Sequence, residues 1–479
     1  MSKEISREEM QELARRYKNP VLLIFGSHSA IDAWYGARNY GFKSVIYTTK
    51  SRSIIYMQNP IVGLPNEDIE DLPDIVRRDL IVAYDAKDII KKKNWRTALL
   101  ILDKYTDIFK YIDDLLELEP LQIPNRAFAT YLGGDRYLSK IEREFPIPIV
   151  GSRKLLKVEN KGVERDYYWF ARKAGIPIPK TYEFEVTPTG IRFKEPIDEP
   201  LVLKAENPRR KFEREFIFAA DSQDLEEKVE KEMEKGNLNQ EVLRRATVEQ
   251  LVLGPQANFN FFFSPLNALS EWGDLDDEFA RIHNLSLEEA RVCLANELLS
   301  IDERRETIFD GIRRLPADVQ IKLLKKIVPS FEVTFHAILS VRESLLKEVL
   351  RCADAFLLAT REYEPPGIIG AWAFQVVITW DRVDKYGLRP TIKMDVSIGT
   401  EVKTPESYGL FDTGGKEVYA HIPVMHDIAF RHGGGTNVHI GIGGQYSNAK
   451  YNRRMSTGER IALEVRRALK KGKLDLIVT

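Results

Sequence analysis

Apolar residues run unbroken through VLLIF (21–25), stop at a short turn, and return at helical spacing before a second run, SVIYTT. This pattern predicts a strand (21–25), a turn (26–29), an amphipathic helix (30–40) and a strand (44–48), a βαβ unit of the parallel kind. ALLILD (98–103) adds a strand and the stretch 108–118 adds helices, so residues 1–150 read as an N-terminal open α/β domain. The preceding MSKEISREEMQELARRYKN reads as a charged helix and lacks the apolar core of a signal peptide.

Gly151-Ser152 punctuates the start of a new unit, 151–479, ahead of a helix. RDYYWFARKAGIPIPKTYEF (165–184) is a helix stopped by Gly175. Strands EPLVLKAEN (199–207), REFIFAA and VEQLVLG (248–254), with a Glu/Lys-rich helix (223–235), make a small α+β lobe, 175–253. ANFNFFFSPL (257–266) is a strand buried on both faces that opens a larger lobe, 255–479. Periodic Leu and Ile in a charged background predict a helical insertion over 276–328. A long helix (341–363), β-rich sequence from 371 and a final helix (458–472) complete the chain.

A chain of 479 residues can bury two or three cores. Lys+Arg 71 against Asp+Glu 72 leaves no basic excess, which argues against a nucleic-acid partner. Two cysteines imply a reducing compartment, and no apolar run is long enough for a bilayer, so a cytoplasmic protein is expected.

Several short stretches carry candidate chemistry. Ser27, His28 and Ser29 close the first strand where a helix begins, a position suited to phosphate; a plain N-cap is the alternative. Lys204 follows a strand and can reach nucleotide phosphates across a cleft, or be a solvated lysine. VEQLVLG is either a hinge whose backbone reads an adenine edge or a core strand. Gln375 and Asp427 could offer Mg²⁺ oxygen ligands from adjacent strands. RHGGGTNVHIGIGGQYS (431–447) holds six glycines but no Walker lysine, so it is not a P-loop; it suits close backbone approach to a phosphate, or is a glycine-rich loop that needs positive φ. His421, His426, His432 and His439 crowd the same region at spacings that match no familiar zinc site.

Taken in order, GSHS, GSRKLLKVENKGVERDYYWFARKAGIPIPKTY, VEQLVLG with ANFNFFFSPL, VRESLL, PPGIIGAWAFQ and RHGGGTN…GGQYS…MSTGERIA resemble the formate-dependent 5-formaminoimidazole-4-carboxamide ribonucleotide (FAICAR) synthetases of archaeal purine synthesis. The resemblance runs from about residue 20 to the end. It implies an α/β and α+β ATP-grasp fold behind a pre-ATP-grasp domain. It also implies an ATP-dependent ligase that activates formate and formylates aminoimidazole carboxamide ribonucleotide (AICAR), with ATP and Mg²⁺ bound, as a homo-oligomer. By resemblance, Ser27, His28, Ser29, Gly434, Gly435, Thr436 and Asn437 hold the ribonucleotide, and Lys204, Glu249, Gln250 and Val252 hold ATP. Gln375 and Asp427 hold the metal, and Arg431 faces phosphates as the catalytic arginine.

The chain departs from the family in places. After Lys204 it has AENPRRKFERE, basic at Arg209, Arg210, Lys211 and Arg214, where relatives have a glycine-rich loop. It has Asp427 and Ala429 where relatives have a glutamate and a small polar residue, and IPNRAF (123–128) where they have His-Gly-Ser. Residues 379–420 also lengthen it. Two other readings stay open: a non-catalytic nucleotide-binding paralogue, and an ATP-grasp ligase with a different acid and amine.

Overall fold

A computed structural model describes residues 3–479 apart from 68–70, 136, 207–213, 325, 327–332, 387–410 and 413–417. The basic segment after Lys204, including Arg209, Arg210 and Lys211, and most of 379–420 lie outside the described residues.

Five short runs pair in parallel: β1 (Val21–Phe25), β2 (Ser44–Thr49), β3 (Leu80–Ala83), β4 (Thr97–Leu102) and β5 (Pro120–Ile123), in the order β3-β4-β2-β1-β5. β1, β4 and β5 are buried throughout, as strands covered on both faces must be. The βαβ prediction holds, while β3 and β5, only four residues each, carry too little pattern to be read from sequence. The helix Ala30–Asn39 between β1 and β2 lies against the last helix, Thr457–Lys470. Their backbones touch: a Cβ on Gly36 would stand 2.1 Å from the Gly458 carbonyl. The C-terminus is thereby fastened to the N-terminal domain.

The small lobe is antiparallel, with β6 (Thr181–Tyr182), β9 (Leu201–Glu206), β10 (Arg214–Ala219) and β11 (Thr247–Gln250) in the order β10-β9-β11-β6. A hairpin of β7 (Glu185–Val186) and β8 (Ile191–Arg192) adjoins it. The predicted charged helix, Ser222–Glu234, buries Leu225 and Val229 against this sheet.

The large lobe is an antiparallel sheet in the order β14-β13-β12-β15-β17-β16. Its strands are β12 (Gln256–Phe263), β13 (Asn296–Glu306), β14 (Val333–Ile338), β15 (Gly370–Arg382), β16 (Phe411–Asp412) and β17 (Val418–Ala429). Phe259, Phe261 and Phe263 share a core with Val349, Phe356 and Leu357 of the helix Glu343–Tyr363, and Phe262 joins the core of the N-terminal side. The phenylalanine run is buried on both faces, as predicted.

The helical reading of 276–328 needs correction. Helices Asp274–His283 and Leu287–Leu294 are followed by the eleven-residue β13, an inner strand, before two further short helices. Its charged end, DERRE, masked the alternation Leu299-Ser300-Ile301-Asp302 that marks a strand.

Candidate functional site

β1 and β5 are neighbours, so their C-terminal turns open on one edge of the parallel sheet, where ligands bind in such folds. Asn125, which caps the helix Arg126–Leu132, donates from Nδ2 to Phe25 O and Ser27 O at 3.1 and 3.0 Å. His28 adopts the left-handed conformation, φ 59°, and its carbonyl accepts from Asn437 Nδ2 at 3.0 Å. Arg52 donates to Ser27 Oγ and lies over the rings of Tyr105 and Tyr131. Sequence gave no sign of Arg52. Ser29 is fully buried and donates to His432 O at 3.3 Å, so it secures the glycine-rich loop and is closed to a ligand.

His28 is exposed to solvent. Desolvation, then the charge of Arg431, hold its pKa well below the usual imidazole range, so it is neutral.

The glycines at 433–435 are bare because protein lies against both sides. A Cβ on Gly434 would stand 2.8 Å from His28 Cε1, and one on Gly435 would stand 2.3 Å from Asp302 Oδ2. The loop therefore runs between the N-terminal domain and the large sheet. His432 Nε2 is 2.7 Å from Asp32 Oδ2, and Thr436 Oγ1 lies 2.9 Å from the same nitrogen. Thr436 is thus part of the brace. Arg431 and Arg126 meet one buried carboxylate, Glu159, at 3.3 and 3.1 Å, and Phe430 N–H donates to it at 2.8 Å. Two guanidinium groups on one carboxylate leave a positive wall beside neutral His28. Arg431 Nε is buried with no partner among the described residues.

The large sheet turns a polar row to this cleft. Asp302, Asn258, Gln375 and Asp427 stand directly opposite one another on β13, β12, β15 and β17, so all four share a face. Asn258 and Asn260 each donate from Nδ2 to the Asp302 carboxylate at 2.7 Å. His336 Nδ1 is 2.8 Å from its Oδ2. Arg304 Nη2 reaches Asp427 Oδ2 at 3.4 Å. Gln375 Oε1 and Asn258 Oδ1 are buried with no hydrogen-bond donor among the described residues. The two asparagines were legible in principle, since N-F-N-F places amides on one face of a phenylalanine strand.

On the small lobe, Lys204 Nζ is 2.7 Å from Glu249 Oε2, Lys161 Nζ pairs with Oε1, and Tyr168 OH donates to Oε2 at 2.9 Å. Glu249, 1% exposed, is thus the shared anchor of two lysines. That is its side-chain role here. Lys161, in VENKG, carries no local sequence pattern that points to this pairing. Gln250 is buried with Oε1 unpartnered among the described residues, and Val252 packs beside Ile422 and Val424. Burial, then the charges of Arg304, Asp427, Lys204 and Lys161, act on His426, with a net downward shift that keeps it neutral. Tyr167 OH donates to its carbonyl at 3.1 Å. The lysine pair and the Asp427 end of the row therefore converge around His426.

The four C-terminal histidines have separate surroundings. His421 Nδ1 accepts from Arg342 at 3.0 Å, His432 meets Asp32, and His426 and His439 are enclosed and held below the usual imidazole pKa, chiefly by desolvation.

A family described as a domain of unknown function, DUF1297, matches residues 224–413 and 418–479, more than half of the chain, and a second, DUF1246, matches 22–182. A relative in Methanopyrus kandleri is named 5-formaminoimidazole-4-carboxamide-1-(beta)-D-ribofuranosyl 5'-monophosphate synthetase. It is 26% identical over 480 residues, covering 99% of this chain and 100% of its own length. The protein of the same name in Methanocaldococcus jannaschii is 25% identical with the same coverage. The crystal structure of an IMP biosynthesis protein PurP from Thermococcus kodakaraensis superposes with a TM-score of 0.53 at 22% identity, covering 96% of this chain and all of that one. The fold is the ATP-grasp arrangement that the sequence implied.

Proposed function

The chain belongs to the DUF1297 family, and from that premise we propose that it is an ATP-dependent carbon–nitrogen ligase of IMP biosynthesis that formylates AICAR with formate. The observation that carries this reading is the convergence, around one cleft, of a lysine pair, a row of oxygen donors and a positively walled edge of the parallel sheet.

Each part has a task. Lys204 and Lys161, oriented by Glu249, neutralise nucleotide phosphates from the small-lobe side. The fold family implies Mg²⁺, and the residues fit it: one carboxylate, Asp427, adjoins Gln375, whose carbonyl oxygen is buried without a donor. Among the described residues no three His, Cys, Asp or Glu side chains gather, so the remaining ligands would be phosphate oxygens and water, as Mg²⁺ prefers. Bound there, Mg²⁺ would offset charge on the transferring phosphoryl group. Arg431 and Arg126 favour an anion beside them, which suits the formate carboxylate and the acyl phosphate it becomes. Ser27 and Arg52, at the sheet edge beside neutral His28, would take the ribonucleotide phosphate. No protein nucleophile is required; the residues position reactants and meet developing charge. A soluble, cytoplasmic homo-oligomer belongs to the same reading; among the described residues no helix is long and apolar enough to cross a membrane.

AICAR is expected to raise the melting temperature in a concentration-dependent way, by ordinary ligand linkage. The double variant Ser27→Ala, His28→Ala should lose that rise while keeping the rise given by MgATP. An AICAR-induced shift unchanged in the double variant would remove GSHS from the ribonucleotide site.

A further inference from the structure

We propose that His336 is the base that removes the amine proton during acyl transfer, with Asp302 as its positioning residue; this inference rests on the ligase reading above. His336 lies on β14, the edge strand beside β13, and its register partner is Arg304. Arg304 and Asp302 are two apart on β13, so His336 shares the face that carries the polar row. Its Nδ1 is 2.8 Å from Asp302 Oδ2. Asp302 is fully buried and also accepts from Asn258 and Asn260, which fixes the carboxylate in place. Nδ1–H therefore donates to it, and Nε2 is left as the acceptor.

The His336 side chain is about a quarter exposed, while the carboxylate behind it is not exposed at all. Gly435 lies against Asp302 and Gly434 against His28, which sets the dyad beside the loop that borders the ribonucleotide site. Three other carboxylates of the cleft are paired with cations. Glu159 is held by two arginines, Glu249 by two lysines and Asp427 by Arg304. His432 also has a carboxylate behind it, but its Nε2 is turned inward to Asp32 and its ring is buried. His28 faces the guanidinium groups of Arg431 and Arg126, with no carboxylate behind it among the described residues.

The chemistry asks for such a group. An amine on an imidazole ring is a weak nucleophile, and the nitrogen becomes strongly acidic once it bonds to the formyl carbon. As the C–N bond forms, His336 Nε2 takes the N–H proton. The C–O bond to phosphate then breaks, and the proton is passed to the departing phosphate or to solvent. Positioned bases of this kind contribute roughly 10²–10⁴-fold.

The test is His336→Gln in the full chain, with formate, ATP and AICAR. Formyl transfer is expected to fall by roughly a hundredfold or more in kcat, with KM for ATP and AICAR little changed. Formate-dependent positional isotope exchange in ATP, which reports acyl phosphate formation, should persist. Asp302→Asn should show the same division, and imidazole added to His336→Gly should restore part of the rate. A kcat near the parent value in His336→Gln, loss of isotope exchange together with transfer, or absence of rescue in folded His336→Gly would each overturn the proposal. A parent chain that gives no AICAR-dependent product would instead overturn the ligase reading, and this inference with it.

Discussion

Glu249→Gln is expected to destabilise the protein and to weaken MgATP binding together, by more than any other single change in the small lobe. Glu249 is buried between two largely buried lysines, at 2.7 Å from Lys204 and in contact with Lys161. Neutralising it leaves two ammonium groups facing each other in a poorly solvated space. Removing one partner of a buried pair typically costs about 3–5 kcal/mol. The lysines would also lose the orientation that presents them to phosphate. Thermal melting and MgATP titration should therefore both shift, and ATP should recover part of the lost stability by supplying replacement anions. Parent-like melting and parent-like ATP affinity would show that the pair neither supports the lobe nor binds nucleotide.

Asp427→Asn is expected to abolish nearly all turnover, with kcat lower by on the order of a hundredfold or more, while AICAR affinity stays close to the parent value. Asp427 is the cross-strand neighbour of Gln375, and an amide balances neither Mg²⁺ nor Arg304, 3.4 Å away. The groups proposed for the ribonucleotide, Ser27, Arg52 and His28, lie on the other domain. Asp427 lies on β17, the strand that leads into the loop 431–437, so an anchoring role is the alternative. In that case the substitution would loosen the loop and weaken both ligands. Separate titrations of MgATP and AICAR distinguish the two, and normal turnover would exclude Asp427 from the site.

What could be read from sequence followed from local pattern. β1, its helix and β2 were legible because apolar runs and helical periodicity alternate cleanly, and the phenylalanine strand because nothing exposed looks like it. β13 was not, because its last five residues are charged and the stretches on either side are helical. With β13 went Asp302, the carboxylate that the polar row converges on. Gln375 and Asp427 were placed together correctly as cross-strand partners. Ser29 and Thr436 were assigned to a ligand but are spent on holding the loop, since a hydroxyl's partner depends on what the fold brings near it. Arg52, Lys161 and His336 carry no local signal for the same reason: each meets a residue far away in sequence.

The central claim is that this cleft couples ATP cleavage to formylation of an aromatic amine. Its most direct test is ADP release and product formation by the purified chain with ATP, Mg²⁺, formate and AICAR, each omitted in turn. The account predicts one ADP per formylated ribonucleotide, with sustained release only when all four are present. ADP release that ignores formate and AICAR, or none in the complete mixture while both ligands still bind, would contradict it.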